Sequence, residues 1–368
     1  MKNILVCYIV RNSGHHKAAA ILEKIIKETN PGFNVKMANP FHHTNPILSK
    51  VTLKTYMRMI RSTPDIWHYL YDNKKIKRKT DKLYSFFHKL NMAKISKLLD
   101  KFYPETVVCT QAIPCSLFSH FKKEKDCGIK LVAVITDYIM HSYWLNDGVD
   151  IYCVPTNEAK AYLIAEGVAP EKVHVTGIPV DASFSIKMDK QRAKIKLGLP
   201  VELPVISIMG GSYGLGSIGD VIKHMIDIPA KHFLLVITGG NKKLNEGLTR
   251  SFGGRENIRI IGYSDEIGLI MDASDVLVTK PGGLTSSEAM VKGLPMIITD
   301  PLPGQEKSNT EYLTSRESAV LAANAKEAAE LAEELITSDS KCKKISENAF
   351  KIGKSESAFE IAKIVEKL

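Results

Sequence analysis

The chain has 368 residues, of which 44% are hydrophobic, 24% charged and 7% aromatic. That ordinary composition excludes a disordered, collagenous or coiled-coil protein, and at roughly 150 residues per domain it leaves room for two separate cores. The formal net charge of +10 is uneven: residues 1–130 carry 24 Lys and Arg against 9 Asp and Glu, a net of +15, and the remainder is net −5. A basic first third fits nucleic acid, an anionic membrane surface, or a merely solvated basic face. The cysteines at 7, 109, 115, 127, 153 and 342 form no CxxC pair, so they are expected to be reduced, mostly buried thiols of a cytosolic protein. No apolar run approaches the ~18 residues of a membrane span.

In chain order, Ile4–Val10 is a buried-strand run, too short and too poorly flanked for a signal peptide. Ala19, Leu22, Ile25 and Ile26 then share one helical face, which Asn30-Pro31-Gly32 stops. From about Pro46 to Leu99 no strand is evident. Lys54, Arg58, Arg61, Lys74 and Lys75 are interleaved there with Tyr56, Met57, Trp67 and Tyr71. This segment is either an interfacial membrane element or a set of packed helices with a solvated basic face. Thr106–Thr110, Lys130–Thr136 and Ile151–Val154 are further strands. Val205–Met209, Phe233–Thr238, Ile258–Ile261, Val276–Thr279 and Met296–Thr299 repeat the pattern in the second half. Alternating strands and helices predict an α/β chain of two doubly wound, Rossmann-like domains with parallel sheets. The boundary is expected between Ile178-Pro179 and Leu203-Pro204, and ligand sites in a cleft at the carboxyl ends of the strands.

Four stretches carry chemistry. Ser13-Gly14-His15-His16 joins the first strand to the first helix, where a His is either structural or a base. Thr136-Asp137-Tyr138 ends a strand, and Asp137 is a carboxylate base, a partner of His15 or a turn former. Met209-Gly210-Gly211-Ser212-Tyr213-Gly214 allows close backbone approach to a ligand, but its spacing is neither a dinucleotide fingerprint nor a P-loop. Lys280-Pro281-Gly282-Gly283-Leu284-Thr285-Ser286-Ser287-Glu288 predicts a turn and a helix starting near Thr285. It forms either a diphosphate cradle with Glu288 on the ribose or a plain capping box from Thr285 to Glu288. Pro303-Gly304-Gln305-Glu306, with Asn309 one turn later, offers donors and acceptors suited to sugar hydroxyls.

Together, and in order along the whole chain, these stretches resemble the glycosyltransferase family of monogalactosyldiacylglycerol synthases and processive diacylglycerol glucosyltransferases. The resemblance implies the GT-B fold: two facing Rossmann-like domains with a cleft between them. It implies an acceptor- and membrane-binding domain at 1–180, a UDP-sugar-binding domain at 181–350, and a last helix at 351–368 that crosses back to the first domain. Carried over by position, Gly211 and Ser212 line the phosphate side and Tyr263 borders the uracil. Gly283, Leu284 and Thr285 cradle the diphosphate, Glu288 holds the ribose, and Gln305, Glu306 and Asn309 meet the hexose. Asn12 stands where the family commonly has Gly, a substitution that Asn's tolerance of positive φ allows.

The implied activity is inverting transfer of a hexose from a UDP-sugar, UDP-glucose or UDP-galactose, to diacylglycerol or a glycosyl-diacylglycerol. His15 or Asp137 would be the base, on the inner face of the cytoplasmic membrane. No paired-carboxylate DxD motif is present, so no metal and no other cofactor is expected. The rival readings are an N-acetylglucosamine transferase acting on a polyprenyl-linked peptidoglycan precursor and a UDP-sugar epimerase of the same fold. A nucleic-acid-binding role finds no motif to support it.

Overall fold

The computed structural model describes residues 2–41 and 91–368. The basic segment with Lys54, Arg58, Arg61, Trp67, Lys74 and Lys75 lies outside the described residues. The chain divides into two compact units: residues 1–179 with 303–305 and 356–368, and residues 180–302 with 306–355.

The first unit is a six-stranded parallel sheet made of β1 (Asn3–Cys7), β2 (Asn34–Ala38), β3 (Thr106–Cys109), β4 (Lys130–Val134), β5 (Ile151–Val154) and β6 (Val173–Val175), in the order β2-β1-β3-β4-β5-β6. Its inner strands are near-continuous apolar runs because helices cover both faces. Helix α1 (Gly14–Thr29) begins at Ser13, whose Oγ accepts from the His16 N–H. The turn before it holds Asn12 at φ 57°, the positive φ that its side chain tolerates. Helix α2 runs through 91–102 and supplies Ile95, Leu98, Leu99 and Phe102 to the core. Helices α3 (Ala112–Lys125) and α4 (Asn157–Ala165) follow β3 and β5.

The second unit opens with α5 (Lys190–Leu197) and forms a parallel sheet of β7 (Val205–Met209), β8 (Phe233–Ile237), β9 (Ile258–Ile261), β10 (Val276–Thr279), β11 (Met296–Ile298) and β12 (Ala319–Leu321), in the order β12-β11-β10-β7-β8-β9. Read from the other edge, this is the 3-2-1-4-5-6 order of dinucleotide-binding sheets. Helices α6 (Ile218–Met225), α7 (Lys242–Phe252), α8 (Ile267–Ala273), α9 (Gly283–Lys292), α10 (Gln305–Ser315), α11 (Ala325–Thr337) and α12 (Asp339–Ile352) join and flank the strands. The final helix α13 (Ser357–Glu366) lies in the first unit, where it packs on α1 and where Lys2 Nζ donates to the carbonyls of Val365 and Glu366.

The start of the second unit is pinned by ion pairs. Lys190 and Lys194 both reach Asp275, whose Oδ2 also accepts from the Val205 N–H. Deeper, Lys292 at the end of α9 pairs with Asp272 at 2.8 Å, and both side chains are almost wholly buried. Lys292 also donates to the Ile186 carbonyl, and Asp272 accepts from the Met188 N–H.

Among the described residues no helix is long and apolar enough to cross a membrane. All six cysteines are free, and four of them, Cys7, Cys109, Cys115 and Cys153, are buried. Burial pushes the Cys153 thiol up to about 12 and the Cys109 thiol well above its ordinary value, where contact with Cys115 and Cys7 adds to the effect. A thiol-disulfide reagent at pH 8 is therefore expected to titrate Cys127 and, more slowly, Cys342 in the native protein, and the other four only on unfolding. Rapid native reaction of all six would contradict this packing.

Candidate functional site

In an open parallel sheet, ligands meet the carboxyl ends of the strands where the strand order reverses. In the first unit that point lies between β1 and β3, and the residues that gather there are His15, Thr110 and Thr136. His15 is the second residue of α1. Its carbonyl accepts from Thr110 Oγ1 at 2.9 Å, and its Nδ1 lies 2.7 Å from Thr136 Oγ1. Thr110 is fully buried and Thr136 nearly so. The neighbouring His16 is turned away from this contact, its ring edge-on to Tyr8.

Asp137 is half-buried, and its Oδ2 accepts from Gln305 Nε2 at 2.9 Å. Gln305 belongs to the first unit, so the expected hexose residue and the expected carboxylate are brought together. Asp137 acts on His15 through its charge, while the hydrogen-bond partner of Nδ1 is Thr136. Burial lowers the His15 pKa from its ordinary 6.5, against opposing contributions from the Asp137 charge and from a hydrogen bond of the ring with the Thr110 backbone. The imidazole is thus neutral at pH 7 and able to accept a proton. Activity that needs this neutral ring should fall on the acid side with an apparent pKa below 6.5. Asp137→Asn removes a raising influence, so the acid limb of its residual activity should move to still lower pH. A limb that moves up in Asp137→Asn would contradict the assignment.

In the second unit the order reverses between β7 and β10. The loop after β7 is a tight glycine turn in which Leu215 N–H returns to the Gly210 carbonyl. A Cβ on Gly210 would sit 2.6 Å from the Leu215 carbonyl oxygen, so the turn admits no side chain there. Gly211 has φ 67°, and it and Ser212 are exposed. The Ser212 carbonyl accepts from the Gly240 N–H. Asp300 ties this loop to the one after β11: its Oδ2 accepts from Ser217 N and Oγ at 2.8 and 2.7 Å. Asp300 holds φ 48°, a strained value for a residue with a Cβ.

After β10, helix α9 starts at Gly283, two residues before the expected Thr285. Its N-cap is Gly282, which provides no side-chain cap, and no acidic residue lies in the first turn. The capping box from Thr285 to Glu288 is therefore not formed: Gly282 takes the extended backbone that an N-cap needs, with φ −70° and ψ 133°, and Thr285 falls inside the first turn. With no side-chain cap from its N-cap residue and no acid in its first turn, the helix turns the positive end of its dipole to this loop, the arrangement that favours phosphate. Thr285 is half-buried, Leu284 is buried, and Glu288, one turn in, is 2% exposed.

The remaining expected donor residues are placed differently. Tyr263 is 72% exposed. Glu306 pairs with Lys280 at 2.9 Å and accepts from the Leu302 N–H, so it braces the loop from Pro301 to Gly304. Asn309 is buried and donates from Nδ2 to the Pro281 carbonyl, beneath the turn that leads into α9. Thr136, Lys280 and Asp300 were not singled out from the sequence. Thr136 and Lys280 lie inside quoted motifs, but only their long-range partners reveal what they do.

Comparison with known proteins follows the same two-part division. Residues 15–180 match the family model of monogalactosyldiacylglycerol (MGDG) synthase, and residues 190–352 match that of glycosyl transferases group 1. The processive diacylglycerol beta-glucosyltransferase of Bacillus licheniformis is 27% identical over 94% of this chain and 90% of its own length. That of Staphylococcus saprophyticus is 29% identical over 86% and 80%. Among solved structures, Acinetobacter baumannii MurG superposes with a TM-score of 0.65 at 12% identity, covering all of both chains. Anabaena Alr3699/HepE in complex with UDP-glucose gives 0.60 at 15% identity, again covering all of both chains. These structural likenesses establish the GT-B fold. The chain is a glycosyltransferase whose first part matches the monogalactosyldiacylglycerol synthase model and whose second part matches the group 1 glycosyl transferase model, and over most of its length it is similar to processive diacylglycerol beta-glucosyltransferases.

Proposed function

We propose that this chain transfers glucose from UDP-glucose to diacylglycerol or a glycosyl-diacylglycerol, with inversion at the anomeric carbon, while bound peripherally to an anionic membrane. The observation that carries the reading is the N-terminus of α9, with Gly282 as its N-cap and no acidic residue in its first turn, at the strand-order reversal of the second sheet, with Glu288 one turn in. In this reading the first-turn N–H groups and Thr285 take the diphosphate, Glu288 takes the ribose hydroxyls, and the exposed Gly211 and Ser212 lie along the phosphates. The names of the curated relatives support glucose and diacylglycerol.

An alcohol is a weak nucleophile at neutral pH, so a base must take its proton as the sugar bond forms. His15 fills that role, and Asp137 stabilises the imidazolium that results. Charge building on the leaving UDP is met by the helix terminus, so no metal is needed. The basic first third, net +15 over residues 1–130, supplies attraction of about 1 kcal/mol per basic residue close to an anionic surface.

The test is UDP release from UDP-glucose and from UDP-galactose, with and without diacylglycerol in anionic vesicles. Release is expected to require lipid, to favour UDP-glucose, to yield a β-linked glycolipid, to persist in EDTA and to weaken as salt rises. Free sugar released without lipid would replace this reading with epimerase or hydrolase chemistry. Turnover only with a polyprenyl-linked precursor would move the acceptor to that class.

A further inference from the structure

We propose that Thr136 is a positioning residue for sugar transfer: it keeps the proton of the neutral His15 ring on Nδ1 and leaves Nε2 as the lone pair that receives the acceptor's proton. The proposal rests on the reading of His15 as the base. In a neutral imidazole one nitrogen carries hydrogen and the other a lone pair, and the partner of one decides the state of the other. Nδ1 is occupied by Thr136 Oγ1 at 2.7 Å, so an incoming hydroxyl has only Nε2 to address. Were the threonine hydroxyl to donate to Nδ1 instead, Nε2 would carry hydrogen and the ring could not take a proton there.

The geometry suits an orienter. Thr136 is 6% exposed, sits two residues beyond β4, and has a β-branched side chain with restricted χ1. The other end of His15 is held as well, its carbonyl 2.9 Å from Thr110 Oγ1. The adjacent Asp137 gives Oδ2 to Gln305 Nε2 and acts on the ring through its charge, while the hydroxyl at Nδ1 is that of Thr136. During transfer the acceptor oxygen bonds to the anomeric carbon as the bond to the diphosphate breaks. The electron pair leaves with UDP, and the acceptor's proton moves to Nε2. The imidazolium so formed still donates from Nδ1 to Thr136.

The experiment combines nitrogen NMR of the full chain, labelled with 15N-histidine, with kinetics of Thr136→Val, Thr136→Ser and His15→Ala. The His15 signals are assigned by their loss in His15→Gln. The expected results are an Nδ1–H tautomer in the wild type and a shift toward Nε2–H in Thr136→Val. In that variant kcat should fall about 10- to 100-fold, less than the roughly 10²–10⁴ of a whole general base, at unchanged KM for the donor. Thr136→Ser should recover most of the loss. An Nε2–H tautomer in the wild type, full kcat in Thr136→Val, or an equal loss in Thr136→Ser would overturn the proposal. The wild-type tautomer is readable even if a variant folds poorly. Full activity in His15→Ala would overturn the base assignment itself, whereas an inactive His15→Ala beside a fully active Thr136→Val overturns only the role of Thr136.

Discussion

Replacing His15 with Ala is expected to lower kcat by roughly 10²–10⁴-fold, the contribution of a positioned general base, with little change in the KM for the sugar donor. The split follows from the architecture. His15 sits on α1 of the first unit, while the proposed diphosphate and ribose contacts are on the second. Loss of the ring removes the proton acceptor without touching α9. The structural cost is modest, because Thr136 Oγ1 loses one hydrogen bond worth about 1 kcal/mol. Steady-state kinetics at saturating lipid, with a melting curve as a control, separates the two effects. A variant that keeps its kcat but raises donor KM would mean that His15 binds the donor and that another group, with Asp137 first in line, takes the proton.

Lys292→Met is expected to be the most damaging single change to stability. Lys292 and Asp272 form an ion pair whose side chains are 2% and 4% exposed, and Lys292 also satisfies the Ile186 carbonyl. Removing the cation strands a buried carboxylate. Breaking a buried pair from one side costs about 3–5 kcal/mol. At roughly 2–4 °C per kcal/mol for a unit of this size, melting should fall by on the order of 10 °C. Asp272 Oδ1 already lacks a hydrogen-bond partner, so the carboxylate has nothing in reserve. The double variant Asp272→Leu with Lys292→Met should melt above Lys292→Met alone, because no buried charge is left unpaired. Calorimetry of the wild type and the two variants decides it: equal melting of Lys292→Met and wild type would show that the pair contributes nothing.

Strands made of apolar runs are legible: Val205–Met209 and Val276–Thr279, at the centre of their sheet, are read to the residue, and so are Ile151–Val154 and the apolar edge strand Ile258–Ile261. The three strands that escape, Asn34–Ala38, Val173–Val175 and Ala319–Leu321, lie at the sheet edges or form them. An edge strand is covered by fewer neighbours and needs fewer apolar residues; in Asn34–Ala38 only Val35 is buried. Strand ends are overread for a related reason. Val10, Thr136 and Thr299 prolong their apolar or β-prone runs, but pairing stops earlier, where the chain turns toward its helix and the carboxyl end becomes a binding surface.

The site divides along the same line. Strand–turn–helix chemistry is local, so residue order is enough to find His15, Asp137, and the run from Gly282 to Glu288. The choice between capping box and phosphate cradle is not local. It depends on where the first helical turn closes, and α9 is held there by packing against α8 and α12, with Asn309 holding the Pro281 carbonyl from below. Thr136 meets His15 across 121 residues, and Asp272 and Lys292 meet across 20. Nothing in their spacing announces either pair. Composition, apolar periodicity and turn residues are properties of short segments, so they set the fold class and the order of the motifs. Which nitrogen of His15 faces a partner, which carboxylate is neutralised and which residue caps a helix depend on contacts that only the folded sheets bring within hydrogen-bonding distance.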